Sequence, residues 1–283
     1  MNVGLMLNGF VRNVNNLNNV YDFLQNNNEH RIDVYTDTYN VVGLQTKESP
    51  DVNRYLSSSE CTEDIFNNIS QECKHILNIE DYEEANKITN DFVKNNLDIR
   101  TYPNQEDEWK KLKKKSGCQE NEFTHLSRSY SQWRKVYRCF NMISNPDKYD
   151  LLIRCRCDYK ISSLKLDYYK NIDDKNICMK TKSYAEFTFN DNKKFKHMVF
   201  DGLAIAKPTA MKHYCMHGSE LEFLKRMNTN IYESKQHYEI YGYSSRLSNE
   251  VCISHWCYSN GYDLFPIHDS HLPKQPVQRK RKY

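Results

Sequence analysis

Apolar residues along this chain recur with two different periods, and the changes from one to the other lay out the elements. A run from Val3 to Leu7, closed by Asn8-Gly9, predicts a short buried strand ending in a turn. Val14, Leu17, Val20, Tyr21 and Leu24 follow at helical spacing and predict one amphipathic face. A second run, Ile32 to Thr36, ends at Asp37 and predicts another strand. Strand, turn, helix and strand in direct succession open a parallel, helix-covered sheet, because a helical crossover is what lets neighbouring strands run the same way.

Residues 40–60 are polar and predict a loop. Ile65, Phe66, Ile69, Cys73, Ile76 and Leu77 predict a helix, and Tyr82 to Val93 another. Leu97 to Tyr102, stopped by Pro103, predicts a third strand, and Lys110–Lys115 reads as a solvated loop or helix end. The clearest helix carries Leu126, Tyr130, Trp133, Val136, Tyr137, Phe140 and Ile143 as one stripe, ended by Asn145-Pro146. Tyr149 to Ile153 then predicts a buried strand running into Arg154-Cys155-Arg156-Cys157-Asp158. Strands are predicted at Ile177–Lys180, Tyr184–Phe189 and Met198–Ala206, the last interrupted by Asp201-Gly202. Helices are predicted from Pro208, over Leu221–Met227, and over Tyr238–Ile240 and Val251–Tyr258, with Tyr262–Phe265 closing the pattern.

At 283 residues there is room for one large α/β domain or two small ones. No internal repeat and no linker rich in Gly, Ser or Pro is present, which points to one continuous domain over 1–272 and a basic, disordered tail at 273–283. Base and acid nearly balance, with 40 Lys and Arg against 37 Asp and Glu. The tail holds Lys274, Arg279, Lys280, Arg281 and Lys282 without an acid, so the body is not basic. That argues against stable nucleic-acid binding by bulk charge. The tail, ending in PVQRKRKY, suits a solubilising segment, a basic address or a weak membrane-surface contact. A mean hydropathy of −0.86 is polar for a folded chain, yet 13% aromatic residues supply the large apolar groups that disordered chains lack. The opening MNVGLMLNGFVRN is too polar for a signal peptide, and no apolar stretch suits a membrane helix. Ten Cys without a CxxC pair then predict reduced thiols in a cytoplasmic setting.

Three predicted strand ends deliver polar groups: Asn8 to Arg12, Asp37 to Asn40, and Arg154 to Asp158. In open α/β sheets, ligands bind beyond the carboxyl ends of parallel strands. If these strands are parallel neighbours, Arg12, Asp37 and Asp158 converge on one crevice. Gly9 lets backbone approach a ligand, and Arg12 can fork onto a phosphate or carboxylate. Neither GxGxxG nor GxxxxGK occurs, which disfavours dinucleotide and P-loop sites. The Arg154–Asp158 segment suits a diphosphate bridged by a divalent cation, or a purely structural Arg–Asp cluster. His213, Cys215, His217, His255, Cys257, His268 and His271 include metal-capable groups, but none has the paired spacing of a zinc site. Cys215 and Cys257 read as buried small hydrophobes. Asp201 interrupts an apolar strand and Glu250 precedes a helix; either could be a general base, and Glu250 could equally be a charge placed at a helix N-terminus.

The succession LNGFVRN, amphipathic helix, DVYTDTYN, QWRKVYRCFNMI, YDLLIRCRCDYKI, FDGLAIAKPTAM and SNEVCISHW resembles small GT-A-type glycosyltransferases. The likeness is to those of large DNA viruses and to bacterial lipopolysaccharide or capsule enzymes with an RxRxD strand end. It covers about 1–40 and 125–260. The resemblance implies a single α/β domain whose mostly parallel central sheet is covered by helices on both faces. The nucleotide-binding part would span about 1–158 and the acceptor part about 159–272. It implies a nucleotide-diphosphate sugar donor, expected to be UDP-linked, with a pentose such as xylose among the candidates. The acceptor would be a hydroxyl of a glycan or glycoprotein, such as a viral capsid glycan, in the (host) cytoplasm. Mn²⁺ or Mg²⁺ would bridge the diphosphate to Asp158, with His255 or His268 completing the metal shell. Arg156 stands where the family has a second carboxylate, so Arg154 or Arg156 would replace part of the cation's role. Asn8, Gly9 and Arg12 would contact the nucleotide and Asp37 the base or ribose. Gln132 and Lys135, read on the exposed side of the long helix, are donor contacts or a solvated face. Asp201 is slightly preferred over Glu250 as the base. The rival reading is a non-catalytic glycan- or nucleotide-binding protein of the same fold.

Overall fold

The computed structural model of the chain describes residues 1–12, 14–42, 59–96, 122–189, 194–228, 231, 234–241 and 248–267. For 59, 122–125, 181–187, 194–201, 238, 240 and 241 it describes the backbone path only. Strand β1 (Asn2–Asn8), helix α1 (Asn15–Gln25) and strand β2 (Arg31–Tyr39) follow the expected order. β1 and β2 pair in parallel, with Leu5 opposite Val34 and Asn8 opposite Asp37. α1 buries Leu17, Val20, Phe23 and Leu24, the face its spacing predicts.

The next helix is shorter than its apolar spacing suggests. A 3₁₀ turn at Glu63–Phe66 leads into α2 (Asn67–Glu72), and the chain is extended at Cys73. Ile76 and Leu77 therefore belong to strand β5 (His75–Glu80), parallel to β2 with Leu77 opposite Thr36. This edge strand is half-buried at every position, so it lacks the two-residue alternation that marks a strand. Within the expected loop, β3 (Val41–Val42) and β4 (Ser59–Glu60) form a short antiparallel ribbon.

Helices α3 (Tyr82–Asn96) and α4 (Glu122–Asn141) precede β6 (Leu151–Arg156). The two segments expected at 177–189 merge into β7 (Asn176–Thr188), which pairs with β8 (Lys194–Ala206) through register shifts. Asp201-Gly202 does not interrupt β8. Helices α5 (Pro208–Met216), α6 (Glu220–Asn228), α7 (Lys235–Tyr241) and α8 (Asn249–Ser259) and strand β9 (Asp263–Pro266) complete the chain's described part. The strand expected at Leu97–Tyr102, the Lys110–Lys115 run, His268, His271 and the basic tail lie outside the described residues.

The protein is α/β, with seven described strands in one mixed, mostly parallel sheet ordered β5-β2-β1-β6-β8-β7-β9. β8 alone runs against its neighbours β6 and β7. Alternate residues feed two cores, one on each face. Leu5, Leu7, Ile153 and Cys155 pack with α1 and α2, and Met6, Leu152 and Ala204 pack with α4, α5 and α8. Each fully buried aliphatic or aromatic side chain contributes roughly 1.5–3 kcal/mol, so burial on both faces holds the sheet. Among the described residues, no helix is long and apolar enough to cross a membrane.

Candidate functional site

β1 is flanked by β2, which follows it in the chain, and by β6, which comes much later. The chain order reverses there, and this is the switch point at which open sheets leave a crevice. Asn8, at the carboxyl end of β1, is in register with Asp37 on one side and Arg156 on the other. The condition for convergence is met: the three strands are adjacent and parallel. Gly9 then turns with φ 91°, a conformation that favours glycine. Its N–H donates to Asp37 O at 3.2 Å, and its carbonyl accepts from Thr38 Oγ1 at 2.9 Å. Nothing lies within 4 Å of where a Cβ would stand, so bare backbone faces the crevice.

Three charged side chains stand at the mouth. Arg156 forks onto Asp158, with Nε 2.8 Å from Oδ1 and Nη2 2.6 Å from Oδ2. Arg12 Nε approaches the same Oδ2 at 3.1 Å. Burial pushes the Asp158 carboxyl up, but the Arg156 hydrogen bond and the charges of Arg156 and Arg12 outweigh it and hold it below the usual carboxylate value. The Arg12 side chain is 54% exposed and Arg156 24%, which leaves both able to meet a ligand. Both Asp158 oxygens are already engaged by guanidinium groups.

That arrangement does not fit a divalent cation. Among the described residues, the one group of three or more metal-capable side chains is Glu29, His30 and Asp167. It lies before β2, where His30 Nδ1 is 3.5 Å from the Met1 amine, at the opposite end of the sheet from the crevice. His255 stands on α8. α8 is buried from Val251 to Cys257, and His255 packs on Phe189 with ring centres 4.5 Å apart. Ser259 Oγ is 3.3 Å from its Nδ1. A histidine on an all-round buried helix is placed within the core.

Glu250 occupies the first turn of α8. Ser248 Oγ accepts from Val251 N at 3.4 Å and donates to Glu250 Oε2 at 3.2 Å, so the carboxylate shares in capping that helix. Asp201 is placed by register, its side chain lying outside the description. Leu203 pairs with Cys155, so β8 carries Asp201 past the end of β6, toward the level of Asp158.

Behind the mouth lies a network in which Lys135 is the hub. The expectation that it sits on an exposed helix face is corrected: its side chain is 0% exposed. Nζ lies 2.7 Å from Asp37 Oδ1, 2.7 Å from Thr38 O and 2.9 Å from Glu80 Oε2. It also stands 4.0 Å over the Tyr39 ring. Asn78 donates to Asp37 Oδ1 at 2.8 Å. Arg134 forks onto Glu80 at 3.2 and 2.9 Å, and Arg138 bonds Glu80 and reaches Asp37 Oδ2 at 3.4 Å. Asp37, fully buried and so engaged, holds the crevice floor rather than facing a ribose. Gln132 is half-buried on the same helix. α4 packs on the sheet, on α3 and on α5, so a cation on it can be internal. Glu80 was not singled out from sequence. Its signal was the set Arg134, Lys135 and Arg138, three cations on a helix otherwise read by its apolar stripe.

The Glu80 carboxyl is pushed up by burial, but its bonds to Arg134 and Lys135 and their charges bring it down to about 2. A depressed pKa stabilises the fold above the unfolded value of 4.5, and that contribution is lost as pH falls from 4.5 toward 2. Urea unfolding across this range is expected to show the advantage of wild type over Glu80→Gln shrinking steadily. An advantage that stays constant with pH would remove the linkage.

Arg154 is wholly buried behind the edge, its Nε donating to Asn8 Oδ1 at 3.2 Å. Cys215 and Cys257 are buried as expected, and burial pushes both thiols up, away from nucleophilic use. Two charged clusters thus stand at this edge: Arg12 and Arg156 on Asp158 at the mouth, and Arg134, Lys135 and Arg138 on Asp37 and Glu80 behind it, with Arg154 held by the Asn8 amide. Comparison with protein-family models, curated proteins and solved structures gives no match.

Proposed function

We propose that the protein is a GT-A-type glycosyltransferase that holds a nucleotide-diphosphate sugar across the carboxyl ends of β1 and β6. The observation that carries this reading is the excess of cations over carboxylates at the switch point, beside a bare Gly9 backbone. A small molecule with several negative charges is the complement of such a place. The mostly parallel, helix-covered sheet supports the fold assignment. The acceptor is a glycan or glycoprotein hydroxyl, and a capsid glycan is what the likeness to viral enzymes implies. Nine described cysteines, all free, support a cytoplasmic setting.

In the reaction, a carboxylate takes the acceptor hydroxyl proton while that oxygen forms the new bond to the anomeric carbon. The bond from that carbon to the phosphate oxygen breaks, and the nucleoside diphosphate leaves with its negative charge. Arg12 and Arg156 stabilise that charge. Asp158 orients both guanidinium groups, and Asp201, carried by β8 beyond the end of β6, is the preferred base.

A panel of nucleotide sugars, UDP-xylose included, assayed for binding and turnover with and without Mn²⁺ or Mg²⁺ tests this. Asp158→Asn is expected to weaken donor binding roughly tenfold or more, as hydrogen bonds between charged groups are lost. Asp201→Asn is expected to lower kcat by about 10²-fold or more at similar affinity. The proposal fails if no donor binds. The guanidinium groups on both Asp158 oxygens favour one rival, a nucleotide- or glycan-binding protein without catalysis. Binding without turnover would select it.

A further inference from the structure

Among the described residues, the charge of Arg154 has no counterpart. Its side chain is 0% exposed, and Nη1 and Nη2 are buried without an acceptor. No described carboxylate pairs with it. Two more buried donors share its surroundings and its condition. Asn8, whose Oδ1 receives Arg154 Nε at 3.2 Å, leaves its Nδ2 unmet. Trp133 leaves its Nε1 unmet, and its ring centre lies 5.8 Å from Arg154 Cζ. The unmet atoms of Arg154, Asn8 and Trp133 are all N–H donors, while the buried His217 ring, 5.0 Å from the indole and kept neutral by burial, also leaves both nitrogens unmet, one of them an acceptor. An interior that leaves a guanidinium unpaired is strongly disfavoured, whereas a donor-only, positively charged set is the complement of an oxyanion.

We propose that Arg154, Asn8 and Trp133 form an oxyanion pocket at the inner end of the β1/β6 crevice, which takes a single phosphoryl or carboxylate group. The guanidinium offers two parallel N–H groups to two oxygens, while the amide and the indole supply one donor each. Asn8 ends β1, and the open backbone of Gly9 directly follows it, so the group enters past Gly9. The pocket stands apart from Arg12 and Arg156, which work at the exposed mouth. The oxyanion is either a free ion or the anionic end of a larger ligand, and only the second source rests on the glycosyltransferase reading.

Thermal unfolding of the full chain, in buffer free of phosphate, sulfate and carboxylates, tests the pocket. Inorganic phosphate, acetate and UDP are added separately. At least one of them is expected to raise the Tm of the wild type, because a ligand that binds only the folded state stabilises it. Phosphate alone doing so identifies a free ion, and UDP alone identifies the end of a nucleotide. Arg154→Met is expected to abolish the rise and to start at or above the wild-type Tm without anions, since the uncompensated charge is gone. Trp133→Phe keeps a ring and loses the N–H, and is expected to weaken anion affinity roughly threefold to tenfold. That variant decides the question should Arg154→Met not fold. A wild-type Tm that no anion moves overturns the pocket, and so does a rise that persists in Arg154→Met. A phosphate response without nucleotide-sugar binding keeps the pocket and removes the glycosyltransferase. Donor binding unchanged in Arg154→Met, with the anion response persisting in that variant, removes the pocket and keeps the glycosyltransferase.

Discussion

Lys135→Met is expected to destabilise the protein by about 3–5 kcal/mol, the loss typical of breaking a buried ion pair from one side. Asp37 is fully buried, and Lys135 supplies its shortest charged contact, 2.7 Å away. Without it, Asp37 keeps the neutral Asn78 amide and Arg138 at 3.4 Å, too little to compensate a buried carboxylate. Glu80 keeps both arginines, so the damage centres on Asp37. Urea denaturation of the single variant and of Asp37→Asn/Lys135→Met measures it. The double variant should recover a good part of the loss, because the orphaned charge is removed. A single-variant loss under about 1 kcal/mol, the scale of a surface pair, would show that the network is not desolvated.

Gly218→Ala is expected to cost about 3 kcal/mol or more, the upper end of overpacking. A Cβ there would stand 2.0 Å from the Trp133 carbonyl oxygen and 2.7 Å from its carbon, with Tyr137 Cβ at 3.1 Å. The obstacle is backbone of α4, which no rotamer change can clear. The helix has to move, and Trp133 moves with it relative to Arg154. Loss of stability should therefore come with a weaker response to anions. Gly261→Ala is the control. Its φ of 78° disfavours alanine, yet nothing lies within 4 Å of the added carbon. It should cost only about 1–2 kcal/mol of conformational strain. Equal losses in the two variants would count against the close approach of residue 218 to α4.

Much of the sheet was legible because its strands announce themselves by apolar runs between turns. β1, α1, β2, α4 and β6 lie within a few residues of their expected places. That Asn8, Asp37 and Arg156 share one edge could be stated only as a condition, since adjacency of β1 and β6 is a property of pairing across the whole chain. β5 escaped notice because a half-buried edge strand lacks alternation, and Ile76 and Leu77 stand at helical distance from Cys73. Lys135 was misplaced for a physical reason. Hydrophobic patterning assigns charges to water, and a cation that is buried against carboxylates breaks that rule at the site itself.

β1 finds one partner nearby and the other far along the chain: Val3 pairs with Ile32 on one side and with Leu151 on the other. During synthesis the first seam can close soon after β2 emerges. The second waits for β6, across a loop whose closure entropy must be met before any contact rewards it. The crevice is thus absent from every early intermediate and appears only when the distant seam zips. A ligand seated there would act as a latch on the slowest join in the molecule, and its binding would report completed assembly rather than local order.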